Sequence, residues 1–350
     1  MASKDTLDFI VIGAFKCGTS PLFEYLRGHP QIYMPAGKEV PYFDRDDTNR
    51  VWMGGWSAYL DDLFADAERD ALWGTATPQY MAGSVATSVA STDIEPELII
   101  PSRIRRAAPE AKLVALLRDP IERARSHHRM MRLLREEERS FDQAVLELLE
   151  PHALRQARRA PVPTNCYIVF GEYGRILSGY RRCFPGEQLL VVFTEHMEQS
   201  PGALLQTVLE FLEVDPAYAP ANLGKRYATG ATRRRITWLD PARLQRRAAR
   251  NTGMRHAWRA LPENVRRFVL KRDRELRHQL ILWNRVVDED TDPEPLPATV
   301  TALREHYEDD GRMLRELLGQ GLPWDAESGP AGAGEAAPQG RVDPQPLVDE

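Results

Sequence analysis

The sequence predicts a three-layer α/β protein in which helices flank a central parallel sheet. Three short apolar segments, each followed by a helical pattern, indicate this class: they cover residues 8–13, 112–117 and 188–193. Strands that alternate with amphipathic helices favour parallel pairing. Because ligands bind such sheets beyond the carboxyl ends of the strands, we expect a site in the loops that follow these segments.

The first strand is predicted over Asp8–Gly13, an apolar run that ends in glycine. A loop follows, and then Ser20 and Pro21 predict a helix start, with serine as the N-cap and proline at the first helical position. Gly28 is expected close to the end of this helix, so the region predicts a strand, a short loop and a helix in direct succession.

The second strand is predicted over Lys112–Leu117. Asp119 is expected to cap the next helix, with Pro120 at its first position and Glu122 completing a capping box. This helix is expected to run toward Leu134.

The later part of the chain repeats the pattern. Ser140 and Gln143 predict a capping box at a helix start, and the third strand at 188–193 leads to a helix that opens at Ser200. A final helix is predicted over 301–318.

We expect a single domain over residues 1–325, with a helical C-terminal elaboration. The pattern of residues 236–295 predicts basic amphipathic helices. We expect these helices to form a helical insertion or a cap over an acceptor site. Residues 326–350 are rich in Ala, Gly, Pro and Glu, which predicts a disordered tail.

Composition excludes several classes of protein. The formal net charge of -5 gives no basic field for nucleic acid. No apolar stretch approaches a membrane span, and the N-terminus lacks a signal peptide pattern, so we expect a cytoplasmic protein without a membrane partner. The 3 cysteines have no metal-ligand spacing, and no metal site is predicted.

The loop after the first strand has the features of a phosphate site. Its glycines, Gly13 and Gly18, are spaced as in the P-loop pattern, and the loop opens a helix whose dipole favours an anion. However, Thr19 stands where that pattern has lysine, and the lysine is at position 16, one of the few lysines in the chain. The sequence therefore predicts a P-loop-like phosphate site that works without a metal.

Five segments in chain order resemble those of sulfotransferases that use 3′-phosphoadenosine 5′-phosphosulfate (PAPS), including bacterial and heparan-sulfate-type enzymes. They are Lys16-Cys-Gly-Thr-Ser-Pro-Leu22, Lys38-Glu-Val-Pro-Tyr-Phe43, Gly74-Thr-Ala-Thr-Pro-Gln-Tyr80, Leu117-Arg-Asp-Pro with Arg123 and Ser126, and Gly171-x-Tyr173 before the third strand. The resemblance spans roughly residues 8–215. It implies a P-loop-like fold, PAPS as the donor and PAP as its product.

The resemblance implies that the loop binds the 5′-phosphosulfate through Lys16, Cys17, Gly18, Thr19 and Ser20. Lys16 is expected to stabilise the negative charge that grows on the leaving phosphate. Cys17 is expected to act only through its backbone.

Glu39 is the candidate general base, since a carboxylate beside the loop can take the proton of the acceptor hydroxyl. In cytosolic hormone and phenol sulfotransferases a histidine has this role. Between His29 and His127 the sequence has no histidine, which favours Glu39. The alternative is a structural carboxylate paired with Lys38 or an arginine.

The resemblance implies that Arg118 and Ser126 bind the 3′-phosphate, and arginine suits bidentate phosphate contact. A late basic loop would supply a third contact, for which Arg233 is the candidate; a plain solvated loop fits that arginine run equally well. Phe170 and Tyr173 are candidates to pack on the adenine or, alternatively, in the core.

The predicted function is O-sulfation of a hydroxyl on a small molecule, in natural product biosynthesis. The alternatives are a glycan acceptor, a P-loop metabolite kinase, or a nucleotide-binding protein without activity. The sequence leaves open the acceptor, the oligomeric state (a homodimer is compatible with it) and whether 236–295 forms a lid.

Overall fold

The computed structural model describes residues 4–44, 54–82, 95–225 and 293–325, and the backbone of three short strands beyond them. The strands are β1 (Phe9–Gly13), β2 (Ile32–Tyr33), β3 (Leu72–Ala76), β4 (Lys112–Leu117), β5 (Leu189–Phe193), β6 (Thr232–Arg234), β7 (Arg285–Val287) and β8 (Gly340–Arg341). The helices are α1 (Thr19–Arg27), α2 (Gly55–Leu63), α3 (Pro96–Ala107), α4 (Pro120–Leu133), α5 (Phe141–Leu148), α6 (Pro151–Arg159), α7 (Tyr173–Cys183), α8 (Thr194–Gln199), α9 (Pro201–Leu212) and α10 (Pro297–Leu318).

The main sheet has the strand order β2-β3-β1-β4-β5-β8. The first five strands run parallel, and β8 pairs antiparallel with β5. All five residues of β1 and of β5 are buried, so helices and loops cover both faces of the sheet, as parallel sheets require. The predicted three-layer class with a central parallel sheet is confirmed.

The three predicted strands are present within one residue of their expected bounds. The sequence patterns did not predict β2 and β3. β2 has only two residues, too few for a periodic signal, and β3 contains Gly74 and Thr75, which interrupt its apolar run. The final helix begins at Pro297 rather than at residue 301, because proline fits the first helical turn.

The start of α1 corrects a prediction, since Ser20 is not the N-cap. Gly18 holds that position with φ of 86°, a left-handed conformation that favours glycine, and Thr19 and Ser20 are the first helical residues. Pro21 therefore lies third in the helix, within the first turn, where its missing N–H removes no intrahelical hydrogen bond.

The start of α4 confirms one prediction and corrects another. The Asp119 carboxylate accepts hydrogen bonds from the backbone N–H groups of Ile121 and Glu122, so it caps the helix as expected. The predicted capping box is wrong, because the backbone N–H of Asp119 donates to Glu195 at 2.9 Å and not to Glu122. At the start of α5, by contrast, the capping box formed by Ser140 and Gln143 is confirmed.

A buried carboxylate at the start of α7 is in contact with side chains of α6, α7 and α10. Glu172, 2% exposed, accepts hydrogen bonds from Arg158 and Arg175, each at 2.7 Å, and lies 3.1 Å from His306. Burial alone raises the pKa of the Glu172 carboxyl, but hydrogen bonds from His306 and Arg158 and the charges of both arginines outweigh it and lower that pKa to about 2. The cluster anchors the C-terminal helix to the domain.

Glu172 is therefore expected to contribute to acid stability. Its pKa in the folded chain lies below its ordinary value of 4.5, so its contribution is present above that value and is lost as the pH falls toward 2. In denaturant titrations, the difference in unfolding free energy between wild type and Glu172→Gln should shrink by about 3 kcal/mol between about pH 6 and pH 2. A difference that stays constant with pH would contradict this account.

The chain divides into two compact units, one of residues 1–227 with 292–350 and one of residues 228–291. In the second unit β6 and β7 form an antiparallel pair. The rest of residues 236–290 lies outside the described residues, so a helical insertion over 236–295 stays a prediction. The disordered tail over 326–350 stays a prediction as well, since only residues 340–341 are described there.

Candidate active site

The loop between β1 and α1 lies at the carboxyl end of the sheet. It presents the backbone N–H groups of Gly18, Thr19 and Ser20 at the start of α1, where no side chain caps them. The hydroxyl of Thr194, which follows β5, lies 2.7 Å from the Cys17 carbonyl and 2.8 Å from the Leu117 carbonyl. This contact fixes the loop against two neighbouring strands and leaves its N–H groups for an anion.

Cys17 turns its side chain away from the loop opening. The thiol is fully buried, lies 3.4 Å from the Tyr173 hydroxyl, and burial raises its pKa to about 11. The thiol therefore stays protonated at neutral pH and has little nucleophilic character. The buried thiol favours a backbone role for Cys17, whose part in donor binding stays a prediction.

Lys16 stands in a concentration of positive charge. Its Nζ lies 3.8 Å from the sulfur of Met130 on α4. Nearby His127 is 1% exposed, and its pKa lies well below the ordinary value because of burial first and then the charges of Arg123 and Lys16. His127 is therefore neutral at physiological pH, and the positive charges here belong to Lys16 and the fully buried Arg123.

Glu39 lies beside the phosphate loop. The Lys38 ammonium donates to Thr19 Oγ1 at 3.0 Å, to Ser20 Oγ at 2.9 Å and to Glu39 Oε1 at 3.3 Å. One carboxylate oxygen of Glu39 is thus linked to both loop hydroxyls through the Lys38 ammonium. Gln79 donates to the other oxygen at 3.1 Å, and the side chain remains 40% exposed, open to an incoming group.

Tertiary contacts fix the segment that carries Glu39. Its backbone N–H donates to the Ala76 carbonyl at the end of β3, at 2.9 Å. Just beyond it, the Tyr59 hydroxyl donates to the Val40 carbonyl at 3.1 Å, and the backbone N–H of Tyr42 donates to the Tyr80 hydroxyl at 3.0 Å. These bonds hold the carboxylate on rigid elements, as a catalytic group requires.

Aromatic side chains cluster next to Glu39. The ring centroid of Tyr42 lies 5.1 Å from those of Phe43 and Trp56 and 5.0 Å from that of Tyr59. Phe43 and Tyr59 are buried, whereas Tyr42 and Trp56 are partly exposed. The cluster leaves partly exposed apolar surface on the segment that follows Glu39.

Arg118 leaves the end of β4 and lies 3.5 Å from Glu122 on α4. Its side chain is 28% exposed, and its carbonyl accepts the Tyr173 hydroxyl at 3.0 Å. Ser126 is half-buried on the second turn of α4. Within the described ranges no hydrogen bond joins Arg118 to Ser126, and their shared contact with a 3′-phosphate stays a prediction.

The remaining candidates for donor binding are Tyr173, Phe170 and Arg233. Tyr173 is 1% exposed and bonded to the backbone of Arg118, so it belongs to the core and not to an adenine pocket. Phe170 is partly exposed and stacks on His127 with centroids 6.1 Å apart. The backbone of Arg233 pairs with Val286, but its side chain lies outside the described residues, and its phosphate role stays a prediction.

Gln79 and Thr194 were not predicted as site residues, and Lys38 was predicted only as a pairing partner of Glu39. Lys38 and Gln79 contact Glu39, and Thr194 anchors the loop. Lys38 is, like Lys16, one of the few lysines in the chain, and Thr194 directly follows a buried strand, so each had a signal in the sequence that was not used. Their partners are distant in sequence, and only the fold reveals them.

The donors at this site fit a phosphate group. They are the three N–H groups at the start of α1, two hydroxyls and the Lys16 ammonium, with a carboxylate alongside. A phosphate loop after the first strand of a parallel sheet, with a basic group and a carboxylate beside it, is the arrangement expected of a protein that binds a phosphate-containing ligand.

Similarity to known proteins shows the family of this chain. The family described as Sulfotransferase domain matches residues 6–222, well over half of the chain. The chain therefore belongs to the sulfotransferase family, whose donor is PAPS.

Two curated relatives are named as sulfotransferases of carbohydrates or heparan sulfate. Carbohydrate sulfotransferase 15 of Mus musculus is 27% identical over 245 residues, 59% of this chain and 44% of that protein. Heparan sulfate glucosamine 3-O-sulfotransferase 3B1 of Mus musculus is 28% identical over 211 residues, 60% of this chain and 47% of that protein. The chain thus spans about half the length of the curated relatives it matches.

A solved structure supports the fold. The sulfotransferase from Alicyclobacillus acidocaldarius superposes with a TM-score of 0.56 at 21% identity, over 90% of this chain and 97% of that one. This confirms the P-loop-like fold. Every helix among the described residues is too short or too polar to cross a lipid bilayer.

Proposed function

We propose that this protein transfers a sulfuryl group from PAPS to a hydroxyl of a small-molecule acceptor. One observation carries the proposal: the Glu39 carboxylate lies at the phosphate loop, held through Lys38 to the hydroxyls of Thr19 and Ser20. PAPS, when bound, supplies the sulfuryl group and a phosphate leaving group. The chain must then bind the donor, deprotonate the acceptor and stabilise the charge that forms on the phosphate.

Glu39 is proposed as the general base. Its carboxylate is 40% exposed, so an acceptor hydroxyl can approach it, and hydrogen bonds from Lys38 and Gln79 orient its two oxygens. In this role Glu39 accepts the proton of the acceptor hydroxyl while the oxygen attacks sulfur.

Lys16 and the loop are proposed to hold the phosphate. The backbone N–H groups of Gly18, Thr19 and Ser20 at the start of α1 offer fixed donors. Lys16 adds a mobile positive charge, which can follow the bridging oxygen as its charge increases. Cys17 contributes its backbone alone.

Arg118 and Ser126 are proposed to bind the 3′-phosphate. Arg118→Ala is expected to raise KM for PAPS by about tenfold, because a charge-assisted bond is lost, with little change in KM for the acceptor. The matched control is Arg132→Ala at the far end of α4, where Arg132 donates to the Glu138 carbonyl at 3.2 Å. The measurement is steady-state kinetics with each substrate varied in turn. If Arg118→Ala left the KM values for PAPS and for the acceptor unchanged, the assignment would be wrong.

For the acceptor we propose a small hydroxylated molecule with an apolar or aromatic body. The partly exposed rings of Tyr42 and Trp56 beside Glu39 support this choice. Natural product biosynthesis is the proposed setting.

A glycan acceptor is the second candidate, because the curated relatives include a carbohydrate sulfotransferase and heparan sulfate sulfotransferases. A screen of hydroxylated metabolites and oligosaccharides with PAPS, read by mass spectrometry, separates the two. Sulfation of small molecules alone supports the first candidate, and sulfation of oligosaccharides alone would replace it with the second.

A further inference from the structure

Lys38 lies where the phosphate loop meets the carboxylate. Its ammonium is within 3.0 Å of both loop hydroxyls, those of Thr19 and Ser20, and within 3.3 Å of Glu39. The Lys38 side chain is only 14% exposed, against 40% for Glu39. A lysine buried to this degree between oxygens from two separate segments has a position set by its partners, unlike a solvated surface lysine.

The chemistry of the ammonium sets the direction of these hydrogen bonds. Lysine only donates, so the oxygens of Thr19 and Ser20 must accept from it. A hydroxyl that accepts one hydrogen bond still has its own proton to donate. Thr19 and Ser20 are the first two residues of α1, where an anion would sit. Lys38 therefore leaves both hydroxyls able to donate their protons to that anion.

The same ammonium restrains the carboxylate. Lys38 donates to one oxygen of Glu39 and Gln79 to the other, which fixes the plane of the group. Lys38 is thus a single charged contact shared by the donor-binding loop and the proposed base. Its loss should disturb both, in contrast to the loss of a residue that serves only one.

We propose that Lys38 is a positioning residue that directs the Thr19 and Ser20 hydroxyls toward the donor phosphate and holds Glu39 in place for proton transfer. The part that concerns Glu39 rests on the proposed function. The part that concerns the hydroxyls needs only that the loop binds the phosphate of PAPS or PAP.

The first test measures PAP binding by calorimetry with the full-length protein. Lys38→Met keeps the length of the side chain but cannot donate, and it should weaken PAP binding by about tenfold, the loss of one charge-assisted contact. The matched control is Lys4→Met, because Lys4 also bonds a carboxylate and a carbonyl, at 2.8 Å and 2.9 Å, but at the opposite end of β1. Lys4→Met should bind PAP like wild type. Equal affinity of Lys38→Met and wild type overturns the inference.

A double-mutant cycle tests whether Lys38 acts through the hydroxyl. Ser20→Ala alone should weaken PAP binding by about fivefold, and the double variant by about tenfold, less than the product of the two effects. A purely additive result overturns the inference, because a merely structural lysine would show no such coupling. Lys38→Gln, which is shorter and uncharged, serves if Lys38→Met unfolds; it should also bind PAP more weakly than wild type, and wild-type affinity would contradict the role.

Turnover separates the two parts of the inference. With PAPS saturating, kcat of Lys38→Met should still fall by about tenfold, since Glu39 has lost an orienting contact. An unchanged kcat overturns the part that concerns Glu39. If the wild-type protein itself binds no PAP, the proposed function fails with this inference; if wild type binds PAP and Lys38→Met matches it, only this inference fails.

Discussion

Lys16→Met is expected to lower kcat by about a hundredfold to a thousandfold with PAPS saturating, while the protein stays folded. The reason is that the ammonium acts on charge that appears only as the phosphate leaves, so its loss raises the barrier more than it weakens binding. The buried surroundings strengthen this effect: burial and the charges of Arg123 and Lys16 hold the pKa of His127 well below its ordinary value, so His127 cannot replace the lost charge.

The control for Lys16 is Lys112→Met. Lys112 begins β4 at the other end of the sheet and bonds the Phe211 carbonyl at 2.8 Å and Glu213 at 2.9 Å. Its replacement should leave kcat within about twofold of wild type, as expected for a site away from the chemistry. A Lys16→Met enzyme with a raised KM and a wild-type kcat would show that Lys16 only binds the donor, and the assigned role would be wrong.

Glu39→Gln is expected to lower kcat by on the order of a thousandfold, because an amide cannot accept the acceptor's proton. The variant keeps the size of the side chain and an oxygen that can accept from Gln79 or Lys38, so the local structure should persist. PAP affinity should change much less than kcat, which separates loss of the base from damage to the loop.

Glu24→Gln is the matched control for Glu39. Glu24 lies on α1, the helix that opens at the phosphate loop, and faces Arg27 at 3.5 Å. Its replacement should leave both kcat and PAP affinity unchanged. Turnover by Glu39→Gln at the wild-type kcat means that Glu39 is a structural carboxylate paired with Lys38, the alternative that the sequence left open.

The fold was largely predictable because its central strands are continuous apolar runs. β1, β4 and β5 are buried on both faces of the sheet, and strands buried in this way consist almost entirely of apolar residues. β3 was missed because Gly74 and Thr75 break its pattern, although both are buried. Ser20 was misassigned as the N-cap because the serine-proline signal is local, whereas Gly18 takes the capping position through its left-handed backbone.

The site was predictable in its parts but not in its connections. The sequence singled out Lys16 and Glu39 as separate candidates, and it could not show what joins the loop to the carboxylate. That link is Lys38, whose partners Thr19 and Ser20 are 19 and 18 residues away along the chain, respectively. Likewise Thr194 reaches the Cys17 carbonyl only because β5 and β1 flank β4 in the sheet. Contacts of this kind come from strand order, which residue patterns do not encode.

The most direct test of the central claim follows a labelled sulfuryl group. The full-length protein is incubated with PAPS labelled at sulfur and the panel of hydroxylated acceptors, with a chelator present to remove divalent metal ions. We predict that the label moves to an acceptor hydroxyl and that PAP forms in equal amount. Lys16→Met and Glu39→Gln should abolish most of the label transfer and most of the PAP formation. If PAPS stays intact with every acceptor, while the protein consumes ATP once Mg²⁺ is restored, the sulfuryl-transfer account is wrong.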